Sequence, residues 1–181
     1  IWLVLAMVCA APLAAEPAVQ ADATISLVPE SASVLVGMQF SVAIEVAGVT
    51  DLQAVDLEVG FDPTILEVVD SHPATPGSVE IEPGDIFPAV VPLLNEADNA
   101  LGKIRYSILA PGAVVFTGDG TIATITFEAI HTGSAALALP VHSLTDDNDF
   151  IIAHSVVTAT VSVFSVLTET PTPTLTPTIT Q

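Results

Sequence analysis

The chain has 181 residues, 21 acidic side chains against two basic ones, and a formal net charge of -19. Two cations cannot build the clustered Lys/Arg surface that a phosphate backbone requires, so nucleic-acid binding is excluded, and adhesion to an anionic membrane surface with it. Apolar residues make up 51% of the chain, enough to bury the core of one domain carrying tails.

In chain order, residues 1–15 (IWLVLAMVCAAPLAA) are apolar and small, and Val19-Gln20-Ala21 follows as a small-residue cleavage site. This predicts a secretory signal peptide over residues 1–21, truncated at its start. The apolar run is shorter than the ~20 residues a membrane span needs, so the mature domain is expected to be secreted and not membrane-embedded. The single cysteine, Cys9, falls in this leader, which leaves the mature chain without disulfide or thiol chemistry.

Residues 23–48 read as two or three short strands. Thr24 to Val28 stops at Pro29, and Ser33 to Val36 stops at Gly37. Phe40, Val42, Ile44 and Val46 then alternate with polar or small residues, as in a half-buried strand. Gly48 to Asp51 reads as a turn. Val55, Leu57, Val59 and Phe61 next share one face, with Ala54, Asp56, Glu58 and Gly60 on the other. Asp62-Pro63-Thr64 breaks this strand, because proline fixes φ and offers no N–H to a ladder. Ile65 to Val69 resumes an apolar run.

A long Pro/Gly-rich loop is expected over 71–84, with one short strand at 78–81. Residues 86–94, interrupted by Pro88 and Pro92, suit an edge strand, and residues 95–102 a polar turn. In the strand 103–109, Ile104, Tyr106 and Ile108 share one face, while Lys103 and Arg105, the only two cations, share the other. Gly118-Asp119-Gly120 reads as a turn. The second clear alternator sets Ala123, Ile125, Phe127 and Ala129 against Thr124, Thr126 and Glu128. A strand over 135–144, broken at Pro140, an acidic loop at 146–149, and a last strand with Val157, Ala159, Val161 and Val163 complete the domain. Residues 168–181 (TETPTPTLTPTITQ) cannot form a core and are expected to be a semi-rigid Thr/Pro linker, with surface attachment through a region beyond Gln181. About nine strands, turn signals roughly every 8 to 12 residues and no helical periodicity predict an all-β sandwich over residues 22–167.

The segments VGMQFSVAIEVAGVTDLQAVDLEVGFDPTILEVVD, GKIRYSILAPG, GDGTIATITFEAIHTG, SLTDDNDFI and TATVSV, in that order, resemble a cohesin domain, the receptor module of cellulosome scaffoldins. The resemblance implies a nine-stranded jelly-roll β-sandwich, kin in fold to carbohydrate-binding modules. It also implies a non-catalytic, extracellular module that tethers a dockerin-type partner of polysaccharide-degrading machinery. In the first cohesin class, an Asn and an Asp two residues apart on the strand before the Asp-Pro corner accept hydrogen bonds from the dockerin. The matching positions here hold Ala54 and Asp56, so the aspartate is present and the amide is not.

Asp56, Glu58, Lys103 and Arg105 are therefore the candidate partner-binding residues, either as a charge-patterned recognition face or as a solvated face with cross-strand ion pairs. Asp146, Asp147 and Asp149 are weak calcium candidates. They cluster oxygen ligands but lack the Gly and the distant bidentate Glu of an EF-hand, so a solvated turn is the plainer reading and no cofactor is expected. His72, His131, His142 and His154 show no metal-ligand spacing. No nucleophile motif or aromatic-lined cleft suggests catalysis. Two further readings are a carbohydrate-binding module, for which one tyrosine and no tryptophan beyond the leader is poor equipment, and a structural surface domain.

Overall fold

The computed structural model describes residues 23–74 and 77–165, and the expected leader and Thr/Pro linker lie outside them. The described residues form strands and turns only, and no helix among them is long and apolar enough to cross a membrane.

The organising element is β3 (Gln39–Gly60), which contributes to both layers of a β-sandwich. Its first half lies between β1 (Ala23–Val28) and β8 (Phe116–Ala129), antiparallel to both. Its second half lies between β7 (Lys103–Leu109) and β9 (Gly133–Asp146). One layer runs β10 (His154–Val157), β1, β3 and β8, with β4 (Leu66–Val68) and β5 (Glu82–Pro83) on the far side of β8. The other runs β6 (Leu94–Asp98), β7, β3, β9, β11 (Ala159–Phe164) and β2 (Ser31–Leu35). Apart from β1 with β10 and β2 with β11, the pairings are antiparallel.

The alternations read from sequence set which side chains fill the space between the layers. Val42, Ile44 and Val46, then Val55, Leu57 and Val59, are buried, as are Ile104, Tyr106 and Ile108 on β7. From β8, Ile125, Phe127 and Ala129 join them. Phe127 is the centre of an aromatic group. Phe40 stacks on it at 5.7 Å between centroids, and Phe61 meets it edge-on at 5.4 Å.

Several local expectations are corrected. Gly48 to Asp51 is not a turn, because β3 continues through it with register shifts against β8. Gly48 and Asp51 do take the left-handed backbone of turn residues, with φ of 66° and 52°. That geometry serves β-bulges here, which bend the long strand from one layer into the other. Gly118 to Gly120 likewise lies inside β8. The expected edge strand at 86–94 is irregular up to Leu93, with Ile86 and Phe87 buried, and the pairing strand is β6, which starts at Leu94 and otherwise lies in the stretch read as a polar turn. The short strand expected at 78–81 is reduced to one bridge, between Val79 and Ala97. Pro140 does not end its strand but coincides with the register shift of β9 against β3. Eleven strands result among the described residues.

Candidate functional site

The outward face of β6, β7, β3 and β9 is assembled from four strands whose inward residues are core. Register fixes which outward residues stand side by side. Leu94, Ser107, Asp56 and Ser143 form one row, and Glu96, Arg105, Glu58 and Val141 the next. Asp98, Lys103 and Gly60 lie beyond them at one end, and Leu109, Ala54 and Thr145 at the other. All four candidate residues thus share one sheet face.

Two ion pairs run across it. Lys103 Nζ lies 2.9 Å from Glu58 Oε1, and Arg105 pairs with Glu96 of β6. Of the two cations, only Lys103 pairs with one of the candidate acids. The partner of Arg105 comes from the strand that the polar-turn reading concealed. Glu58 is the least exposed of these four side chains, at 19%, and sits between Arg105 and Val141. Asp56 makes no salt bridge among the described residues, and its neighbours across the sheet are Ser107 and Ser143. Surface pairs of this kind add up to about 1 kcal/mol each to stability.

Apolar side chains flank the charges. Leu109 and Val141 are 47% exposed, and Leu101, at the β6–β7 turn, 67%. Asp56, Glu58, Leu94, Arg105 and Val141 line a hollow of about 240 Å³. Glu58, Glu96, Asp98, Leu101, Lys103 and Arg105 line another of about 250 Å³. Both fall below the several hundred Å³ usual for a small-molecule site. A shallow surface with charged centre and apolar flanks suits a protein partner instead. No aromatic side chain points outward from these four strands.

Two turns hold the face in place. At the β6–β7 turn, Asp98 Oδ1 accepts hydrogen bonds from the backbone N–H groups of Ala100 and Leu101. Gly102 closes the turn at φ 67°, its own carbonyl accepting from Phe61 N–H at 2.9 Å. A Cβ there would stand 2.3 Å from the Phe61 carbonyl oxygen, so the approach of this turn to the end of β3 requires glycine. At the Asp-Pro corner, Asp62 Oδ1 accepts from Thr64 Oγ1 (2.6 Å) and Thr64 N–H (2.9 Å). The Thr64 hydroxyl first, then its N–H, hold the Asp62 carboxyl below its ordinary value. Two side-chain amides stitch the neighbouring edge. Asn99 bonds both backbone groups of Val68, and Asn95 both those of Ile81.

The acidic loop is a turn in which Asp146 Oδ1 accepts from the N–H groups of Asn148 and Phe150. No group of three or more metal-ligating side chains occurs among the described residues.

The family model for the cohesin domain matches residues 25–164. No curated protein matches the chain. Among solved structures, a type II cohesin domain from the cellulosome of Acetivibrio cellulolyticus superposes with a TM-score of 0.68 at 19% identity, covering 78% of this chain and 95% of that one. A non-cellulosomal cohesin from the hyperthermophilic archaeon Archaeoglobus fulgidus gives 0.64 at 18% identity, with 80% and 93% covered. The cohesin–dockerin complex Coh-OlpC-Doc435 of Clostridium thermocellum, described as a novel type I complex, gives 0.65 at 13% identity, with 80% and 95% covered.

Proposed function

We propose that this chain, which belongs to the cohesin domain family, is the receptor half of a protein–protein pair whose partner is a dockerin-type module, bound on the outward face of β6, β7, β3 and β9. The observation that carries this reading is the composition of that face. The only two Lys/Arg residues of a chain with 21 acids stand on it, two residues apart on β7 and so on adjacent outward rows, both tied to carboxylates. Asp56, Glu58, Glu96 and Asp98 outnumber the two cations, so the face is a net acceptor surface. It asks for a partner rich in hydroxyl, amide and cationic donors. Leu94, Leu109 and Val141 supply the apolar contact that gives such an interface its affinity, while the charges set specificity and association rate.

Ala54 takes the place of an amide acceptor, so Asp56 carries that part of the recognition with Ser107 and Ser143 beside it. The module is non-catalytic, acts outside the cell, and tethers a component of polysaccharide-degrading machinery. The sandwich over residues 22–167 is the functional unit, between a cleaved leader and a Thr/Pro spacer that attaches it to a surface. Direct glycan binding is disfavoured because the face offers no ring to stack on.

The test is calorimetric titration of the recombinant sandwich with dockerins encoded in the same genome. Saturable one-to-one binding that Asp56→Ala with Arg105→Ala weakens by about tenfold or more supports this face. Binding unaffected by the pair of substitutions places the partner elsewhere.

A further inference from the structure

A second constellation lies off that face. His142 stands on β9, opposite Leu57, and His154 opens β10, opposite Ala23. The return of the chain between them brings His142 Nδ1 to 2.9 Å from His154 Nε2, with the rings at 77° and their centroids 5.0 Å apart. The other nitrogen of His154, Nδ1, lies 2.7 Å from the carbonyl oxygen of Ile152. A carbonyl only accepts, so Nδ1 holds the proton and Nε2 presents a lone pair toward His142. Imidazoles that ligate metals are oriented in this way, one nitrogen donating to a backbone carbonyl and the other left free.

Two imidazole nitrogens about 2.0 to 2.1 Å from a common ion stand roughly 2.9 Å apart at a right-angled bite, and nearer 3.4 Å at a tetrahedral one. The observed 2.9 Å is an ordinary hydrogen-bond length and also matches neighbouring positions in a tetragonal coordination plane. We propose that His142 and His154 form a two-imidazole chelate for a divalent transition-metal cation of tetragonal preference, Cu²⁺ or Ni²⁺, with water completing the coordination. Without a cation, His142 Nδ1–H donates to His154 Nε2. On binding, the His142 proton moves to its Nε2, so both facing nitrogens offer lone pairs and no net proton is lost. The His142 side chain is exposed, and turning the two lone pairs from the N···N line onto one ion takes a swing of roughly 45° at each ring. The ion ties β9 to β10 and closes the return over residues 143–153, which carries the exposed Phe150 and Ile151.

The experiment is calorimetric titration of Ni²⁺, and separately Cu²⁺, into the untagged full chain. One ion per chain is expected, with Cu²⁺ giving an electron paramagnetic resonance spectrum split by two imidazole nitrogens. His142→Gln and His154→Gln should each weaken binding by about tenfold or more, and a His72→Gln/His131→Gln double variant should leave it unchanged. Should a variant fail to fold, substoichiometric Cu²⁺ on the wild-type chain gives a second reading, broadening the backbone amides of residues 141–143 and 153–155 first. No binding at millimolar ion, a loss below tenfold in either single variant, or broadening that begins elsewhere overturns the proposal.

Discussion

Tyr106 offers a test of the packing beneath the proposed interface. It lies on β7 between Arg105 and Ser107, faces inward and is 1% exposed. Its hydroxyl is buried with no hydrogen-bond partner among the described residues. An unsatisfied buried hydroxyl costs about 1 to 3 kcal/mol, while the ring still contributes its full apolar burial. Tyr106→Phe removes the hydroxyl and keeps the ring, so it should stabilise the fold by about 1 kcal/mol. For a domain of this size that raises Tm by roughly 3 °C, readable by calorimetry or urea denaturation. A second signature follows from pH. Burial pushes the Tyr106 phenol up from 10.0 to about 12. Between those values the folded chain keeps a proton that the unfolded chain has released. The stability this group contributes is therefore whole below pH 10 and falls as pH rises toward 12. The phenylalanine variant should lack that component of the fall. The chain has one tyrosine, so phenolate absorbance near 295 nm reports this site alone. Destabilisation of the variant by about 1 kcal/mol or more, or phenolate formation near pH 10 in the folded protein, would mean that the hydroxyl is satisfied or solvated rather than orphaned.

Three further outcomes are expected. Gly102→Ala places a Cβ 2.3 Å from the Phe61 carbonyl oxygen at a left-handed φ, and should cost more than about 2 kcal/mol by urea denaturation. Asn99→Ala leaves the Val68 N–H and C=O without their side-chain partner and should cost about 1 to 3 kcal/mol by the same measurement, whereas Asn99→Gln should restore little because the longer amide no longer fits the 2.9 and 3.0 Å contacts. Asp62 titrates below its ordinary 3.8, so its contribution is present above that value and lost as pH falls beneath it. An Asp62→Asn variant should flatten the acid limb of the stability profile relative to wild type, as measured by denaturation between pH 5 and 2.

The parts of this architecture legible in the sequence are those where one face is core. Val55, Leu57, Val59 and Phe61 could be placed because burial on one side and water on the other imposes period two. The same logic put Lys103 and Arg105 outward. Gly48 and Asp51 were misleading because the left-handed backbone that makes a hairpin turn also makes a bulge, and only the ladder to β8 distinguishes them. Strand β6 was hidden by its polarity. It lies at the sheet edge, turns Glu96 and Asp98 to water, and satisfies the inward Asn95 with the backbone of Ile81, so it carries no apolar alternation. With β6 unseen, Glu96 could not be proposed for Arg105. His142 and His154 were likewise invisible, because their spacing belongs to no local ligand pattern and their proximity is made by the return between strands.

We propose that the outward face of β6, β7, β3 and β9 receives a dockerin. The most direct test is a calorimetric titration of the sandwich with dockerins from the same genome, run in parallel for wild type, Asp56→Ala/Arg105→Ala, and a His142→Gln variant whose substitution lies off this face. Saturable binding that the face variant loses by about tenfold or more, and the off-face variant retains, is the predicted result. Absence of binding to every dockerin tested, or equal binding by all three proteins, would contradict it.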